Sequence, residues 1–171
     1  VSLISPVLLL SVVMSIVCAF IILNLPALPR GLFPAGLERR GLLPALQELA
    51  ANIEESCRIS CHLECEGPAV PVSPETAMHL FRLAQESVNN AIKHGKAHRV
   101  ILRLVQRDRG AVLSIEDDGV GLPLERPAGR GLGLRIMNYR AQKIGGTLDI
   151  RPGEHGGTVV ACSFPSGTAA G

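Results

Sequence analysis

Gln85-Glu86-Ser87-Val88-Asn89-Asn90-Ala91-Ile92-Lys93-His94-Gly95 closes a helix-sized run that begins at Glu75. Set on a helix at ~100° per residue, Ala77, Leu80, Phe81, Ala84, Val88, Ala91 and Ile92 fall on one side and read as a core face. His79, Glu86, Asn90 and Lys93 gather within roughly 60° of one another on the opposite side. An acid, an amide and an amine on successive turns can together hold a metal ion and a polyphosphate. Carboxylate and amide oxygens suit a hard cation such as Mg²⁺, and the ammonium suits a phosphate oxygen. A solvated helix face is the competing reading, and the helix taken alone favours it. The sequence downstream shifts the balance.

Just upstream, Ser73-Pro74-Glu75 supplies a helix start, with Ser as N-cap, Pro at the first helical position and Glu near the positive end of the dipole. Downstream, Arg99 to Val105 and Ala111 to Glu116 read as strands paired about Arg107-Asp108-Arg109-Gly110. The second leads into Ile115-Glu116-Asp117-Asp118-Gly119-Val120-Gly121. A buried strand that delivers an acid just before two glycines sets a fixed acceptor beside backbone that a flat ligand can approach. Asp-Gly by itself is only a turn. Further on, Gly129-Arg130-Gly131-Leu132-Gly133-Leu134 opens an amphipathic helix from Arg135 to Ile144, so that backbone N–H groups and a helix N-terminus face an anion. No parallel-sheet unit with a later acid surrounds these glycines, which excludes a dinucleotide fingerprint, and no P-loop pattern occurs. A hairpin of Thr147 to Arg151 and Thr158 to Phe164, turning through Gly153 to Gly157, ends the domain, and the small residues of 166–171 read as a disordered tail.

Composition narrows the class. The chain has 171 residues, room for one domain and an appendage, and its net charge of +2 gives no argument for direct nucleic-acid binding. Hydrophobic residues make up 47% but aromatics only 3%, so Leu, Ile, Val and Ala must build the core. Val7 to Leu25 is an apolar run without charge, about 19 residues, which at ~1.5 Å each would just cross a ~30 Å hydrocarbon core. Arg30, Arg39 and Arg40 follow it and would leave the rest of the chain cytoplasmic. A signal peptide competes, without a basic n-region or a good cleavage site, as does a truncated or mis-started chain. After a Pro/Gly connector, Gly36 to Ser56 carries Leu42, Leu43, Leu46, Leu49, Ala50 and Ile53 at helical spacing. Cys57, Ile59, Cys61, Leu63 and Cys65 then alternate with polar residues as in a half-buried strand. A metal site from Cys61, His62 and Cys65 competes there with small buried hydrophobes, but His62 points to the other face. Five cysteines, an odd number, fit a reducing cytosol.

Taken in order, these pieces resemble the ATP-binding domain of sensor histidine kinases within the GHKL superfamily, from about Leu42 to Phe164. Glu86-x-x-x-Asn90-x-x-Lys93-His94-Gly95 resembles the N box, Asp117-x-Gly119-x-Gly121 the G1 box, Gly131-Leu132-Gly133-Leu134 the G2 box, and Gly157-Thr158 the last nucleotide-contacting element. Gly131 to Arg140 and Gly145-Gly146-Thr147-Leu148 are most similar to the subfamily paired with LuxR-type response regulators. The resemblance implies an α/β two-layer sandwich, a mixed sheet of about five strands covered on one face by about three helices. It implies a hydrophobic segment at 1–29, a connector and helix at 30–56 left from the exit of a dimerisation domain, and an ATP-binding catalytic domain at 57–165. The implied cofactors are ATP and Mg²⁺. Asn90 would ligate the metal, Glu86 would polarise metal-bound water, and Lys93 would touch phosphate. Asp117 would accept the adenine amino group, with Thr158 supporting it through water, while Gly119 and Gly121 let the base lie on the backbone. Gly131, Leu132, Gly133 and Leu134 would cradle phosphate beside a lid at 123–130.

Two departures stand out. Asp118 replaces the Asn that usually follows the adenine-binding Asp. None of His62, His79, His94, His98 and His155 sits upstream or precedes an acid as an acceptor histidine would. The expected function is therefore a kinase module that phosphorylates a histidine outside this chain, on a dimerisation domain of its own full-length protein or in trans, and feeds a response regulator. Its expected place is the cytoplasm, anchored to the inner membrane by residues 7–25. A serine kinase or protein-binding module resembling an anti-sigma factor is the alternative, and an ATP-binding remnant without transfer activity a third.

Overall fold

A computed structural model describes residues 37–68, 70–108, 110–121 and 132–167. The apolar run 7–25, Gly131, the expected lid and residues 168–171 of the tail lie outside these. No helix among the described residues is long and apolar enough to cross a membrane.

The elements are α1 (Leu37–Arg40), α2 (Leu42–Cys57), β1 (Ser60–Glu66), α3 (Pro74–Lys93), β2 (Arg99–Arg107), β3 (Gly110–Asp117), α4 (Leu132–Lys143), β4 (Thr147–Pro152) and β5 (Thr158–Phe164). The five strands form one mixed sheet in the order β1-β2-β3-β5-β4. β1 runs parallel to β2, and the other neighbours are antiparallel. α2, α3 and α4 pack on it, so the expected two-layer sandwich stands. Inward positions along β2 and β3 are Val100, Leu102 and Leu104, and Ala111, Leu113 and Ile115, all buried. Asp117 takes the next inward position on β3 and is buried as well. On the outer face Arg103 joins Glu64 and Glu116, each at 2.6 Å, in an ion ladder across three strands.

Ser73 caps α3 as its sequence requires, its hydroxyl accepting from the N–H of Thr76 at 3.1 Å. The buried face is wider than a single stripe: Leu83 and Ser87 join Ala77, Leu80, Phe81, Ala84, Val88 and Ala91, while Ile92 is only half-buried. The reason is that α3 is flanked on both sides, by α2 and α4, as well as by the sheet.

Upstream the expectations shift. The expected helix over 36–56 is broken at Gly41, whose φ of 82° lies outside the helical region, and α2 continues through Cys57. Arg58, at φ 55°, ends it with its N–H on the Glu54 carbonyl. Cys57 thus belongs to a helix and shares no strand face with Cys61. Burial then fades along β1, from Cys61 to half-buried Leu63 to exposed Cys65. Among the described residues no three His, Cys, Asp or Glu side chains gather to hold a metal. Burial pushes the Cys61 thiol up to about 12 and that of Cys162 to about 11, as small core hydrophobes. The residues before Cys57 pack on those after it. Leu37, Leu42, Ala45, Leu46, Leu49, Ala50 and Ile53 are buried, α2 lies on β1 and α3, and 33–171 form one unit.

Glycines join the strand ends. A Cβ on Gly119 would collide with the carbonyl oxygen of Gly95, and one on Gly157 (φ 69°) with that of Asp117. Gly157→Ala is therefore expected to cost about 2–4 kcal/mol, combining backbone strain with overpacking; urea unfolding measures it, and a loss below half a unit would refute the interlock.

Candidate nucleotide-binding site

α3, β3, α4 and the β4–β5 hairpin enclose a cavity of about 200 Å³. Asn90, Asp117, Gly121, Leu134 and Thr158 all line it. The walls are largely apolar, with Ala91, Val120, Met137, Ile150 and Val160 facing in. Pockets for drug-sized ligands span about 300–1,000 Å³, so this volume suits a flat heterocycle better than a whole nucleoside triphosphate. Phosphates attached to such a base must leave by the open side.

Asp117 is the acceptor at the floor. Its Oδ1 takes the N–H of Gly119 at 2.8 Å, and the backbone N–H of Thr158 also donates to the carboxylate. Burial nevertheless pushes its pKa above the usual carboxylate value, outweighing those two N–H groups, and the charges of Asp118 and Glu116 add to the rise. Asp118 behaves oppositely. Slight desolvation would raise it, but the backbone N–H groups of Arg99 and His98, both at 2.8 Å, hold it below the usual value. The extra acid in the Asp117-Asp118 pair is thus tied to the start of β2.

On α3, Glu86 and Asn90 stand one turn apart and are half-buried. Neither side chain has a hydrogen-bond partner among the described residues. The first turn of α4 rests against them at Gly133, where a Cβ would stand 2.5 Å from Glu86 Oε1 and 3.8 Å from Asn90 Nδ2. An unpaired carboxylate and amide one turn apart offer oxygen donors of the kind a hard cation takes.

Of the remaining described candidates only Gly121 is part of the lining. Gly119 and Gly121 approach protein backbone, at Gly95 and Gly157 respectively, so their lack of a Cβ is already used within the fold. Lys93 is exposed, without an ion-pair partner among the described residues, and outside the cavity lining. Leu132 is 74% exposed and also outside it.

Several lining residues escaped sequence reasoning. Ser87 donates to the Leu83 carbonyl at 2.9 Å and lies 3.4 Å from Met137 Sδ, pinning α3 to α4. His94 lines the cavity one turn past Asn90. Ile150 and Val160 pair across β4 and β5, and Val160 pairs with Ile115 of β3, two residues before Asp117. The pairing register would have found them; the sequence alone does not give it.

Residues 75–168 match the family described as histidine kinase-, DNA gyrase B-, and HSP90-like ATPase. The chain belongs to this ATPase family. It is 32% identical over 132 residues to the nitrate/nitrite sensor protein NarX of Escherichia coli (strain K12), covering 77% of this chain and 22% of that protein. It is 38% identical over 133 residues to the signal transduction histidine-protein kinase/phosphatase UhpB of Salmonella typhimurium (strain LT2), covering 77% and 26%. Among solved structures, the ATP-binding domain of PrrB from Mycobacterium tuberculosis superposes with a TM-score of 0.55 at 28% identity, over 73% of this chain and 93% of that one. The histidine kinase domain of the blue-light activated kinase EL346 from Erythrobacter litoralis gives 0.56 at 26%, over 70% and 62%. The chain spans about a quarter of the length of the curated relatives it matches.

For the ATPase domain, Asp117 and Asp118 predict opposite pH behaviour. The raised pKa of Asp117 contributes stability below its unfolded value of 3.8 that is lost as pH rises through the folded pKa. The lowered pKa of Asp118 contributes stability above 3.8 that is lost as pH falls through its folded pKa. Asp117→Asn is therefore expected to keep or raise the nucleotide-free Tm at pH 7, and Asp118→Ala to lower it through a loss of about 0.5–1.5 kcal/mol in unfolding free energy. Thermal unfolding across pH 3–8 checks both; a clear drop for Asp117→Asn refutes the burial penalty.

Proposed function

We propose that this chain is the ATP-binding catalytic module of a two-component sensor histidine kinase, using Mg-ATP to phosphorylate a histidine outside the chain. The observation that carries the reading is that Asn90 of α3 and Asp117 of β3 open on one cavity. The acceptor histidine lies on a dimerisation domain, and the phosphoryl group passes on to a LuxR-type response regulator. Relatives that are histidine kinases by name support the reading.

In this reading the buried Asp117 carboxylate accepts the adenine amino group and leaves guanine, which presents a carbonyl there, without a donor. The apolar walls hold the ring, and Thr158 supports its polar edge. Glu86 and Asn90 would hold Mg²⁺, Asn90 directly and Glu86 through water; when bound, the ion offsets charge on the phosphates. Lys93 meets phosphate from the exposed end of α3, and Gly131 and Gly133 give the backbone room to follow it. Residues 7–25 anchor the module to the inner membrane, and Arg30, Arg39 and Arg40 keep it on the cytoplasmic side.

A fluorescent ATP analogue, titrated with and without Mg²⁺, tests the site. Asn90→Ala is expected to lose the metal-dependent part of binding and keep the metal-free part. Asp117→Asn is expected to weaken both by about 1–3 kcal/mol, the cost of a mispaired buried contact. Affinity of the unaltered chain should fall as pH is lowered through the raised Asp117 pKa, because the protonated acid loses its acceptor character; Asp117→Asn should remove that dependence. Transfer is tested separately, by mixing the chain with radiolabelled ATP and isolated dimerisation domains. Absence of label on any of them counts against the kinase and leaves an ATP-binding module.

A further inference from the structure

Large apolar side chains exposed among the described residues are Val120, Leu132, Ile136 and Tyr139. Three of them lie on α4, at i, i+4 and i+7, which makes one stripe about 10 Å long. The inner side of that helix is occupied separately, by buried Met137 and Ala141. α4 therefore has two apolar faces, and the core covers one.

The charges beside the outer face have a single sign. α4 carries Arg135, Arg140 and Lys143 and no acidic residue. None of the three has an ion-pair partner among the described residues. The Lys143 ammonium lies 5.5 Å from the centre of the Tyr139 ring. The acid packed against the helix, Glu86, meets it on the inner side at Gly133.

Cations without anions around an aliphatic stripe, with a tyrosine in it, match an anionic lipid surface. The aliphatic groups enter the acyl boundary, the cations meet headgroup phosphates, and the phenol sits at the interface. An acidic amphipathic helix would offer similar chemistry, but distance along the chain favours lipid. Residues 26–36 alone separate the apolar run 7–25 from Leu37, a reach of at most about 40 Å. A module anchored by that run meets the bilayer at high effective concentration. We propose that the outer face of α4 docks reversibly on anionic lipid. The effective concentration rests on the anchoring reading above; the surface chemistry does not.

The chain has one tyrosine and no tryptophan, so Tyr139 is an intrinsic probe placed on the proposed face. The full chain is reconstituted with vesicles of phosphatidylcholine alone, or of phosphatidylcholine with phosphatidylglycerol, acyl-brominated in each case. Tyr139 emission is expected to fall by about half in the anionic vesicles and to stay unchanged in the neutral ones. High salt should restore it as the screening length shrinks. Arg135→Glu with Lys143→Glu, and separately Ile136→Asp, should abolish the quenching, with circular dichroism confirming the fold. A chain that floats with anionic vesicles while Tyr139 stays unquenched overturns the docking and leaves the anchor standing. Failure to float with neutral vesicles overturns the anchor, and quenching in anionic ones would still support the docking. Shielding of Tyr139 from aqueous iodide in neutral vesicles, growing with protein concentration, shows a protein covering the face and overturns the lipid proposal.

Discussion

Two carbonyl oxygens, those of Gly95 and Asp117, each meet a glycine whose missing side chain lets the backbones touch. Gly119 packs on the first and Gly157 on the second, and the Val120 N–H also donates to the Gly95 oxygen at 2.8 Å. The end of α3, the end of β3 and the entry to β5 are thereby held as one piece of backbone. Gly95 in turn donates its N–H to the carbonyl of Asn90 at 3.0 Å. The spacing between Asn90 and Asp117 is thus fixed by main-chain contacts and depends little on side-chain rotamers. A site built this way is preorganised for a rigid ligand, since little conformational freedom remains to be lost on binding.

Burial and hydrogen bonding divide the neighbouring acids: burial prevails at Asp117, backbone N–H groups at Asp118. Asp117 and Asp118 are identical in chemistry and adjacent in sequence, yet β3 turns one inward and the other outward. The inward one has two backbone donors and, among the described residues, no cation, so its charge is held at a cost. That is the condition in which a ligand's N–H group adds most, because it supplies a partner the fold has left out. The outward one accepts from two N–H groups at the start of β2 and belongs to the scaffold. Reading the pair as two site acids would have assigned one of them to the wrong task.

Much of the fold was legible because α3, the β2–β3 hairpin and the β4–β5 hairpin each carry their own period and their own start and stop residues. Ser73-Pro74, Gly110 and Gly153 to Gly157 mark boundaries for local physical reasons. What stayed hidden depends on neighbours. The alternation around Cys57 was genuine as a pattern, but α2 propagates through it until Arg58 reverses the backbone, and helix hydrogen bonds outweigh strand periodicity there. Leu83 and Ser87 are buried because a third element flanks α3, and a single helical wheel does not contain that information. Within the site, Asn90 and Asp117 followed from residue type and spacing. Ile150, Val160 and Met137 did not, because strand register and helix packing bring them in.

α4 borders the cavity on one side and carries an exposed apolar stripe on the other. It contributes two buried side chains, Met137 and Ala141, against eight from α3. Each large apolar side chain buried contributes about 1.5–3 kcal/mol, so α4 is held to the body by a small share of the core. Its first turn nonetheless supplies Gly133, which rests on the Glu86 and Asn90 pair. A helix attached this weakly opens at lower free energy than the sheet beneath it. A surface that contacts Leu132, Ile136 and Tyr139 from outside therefore acts on the same helix whose first turn rests against Glu86 and Asn90. A contact on that outer face would change the inner one only to the extent that it binds different positions of α4 with different affinity.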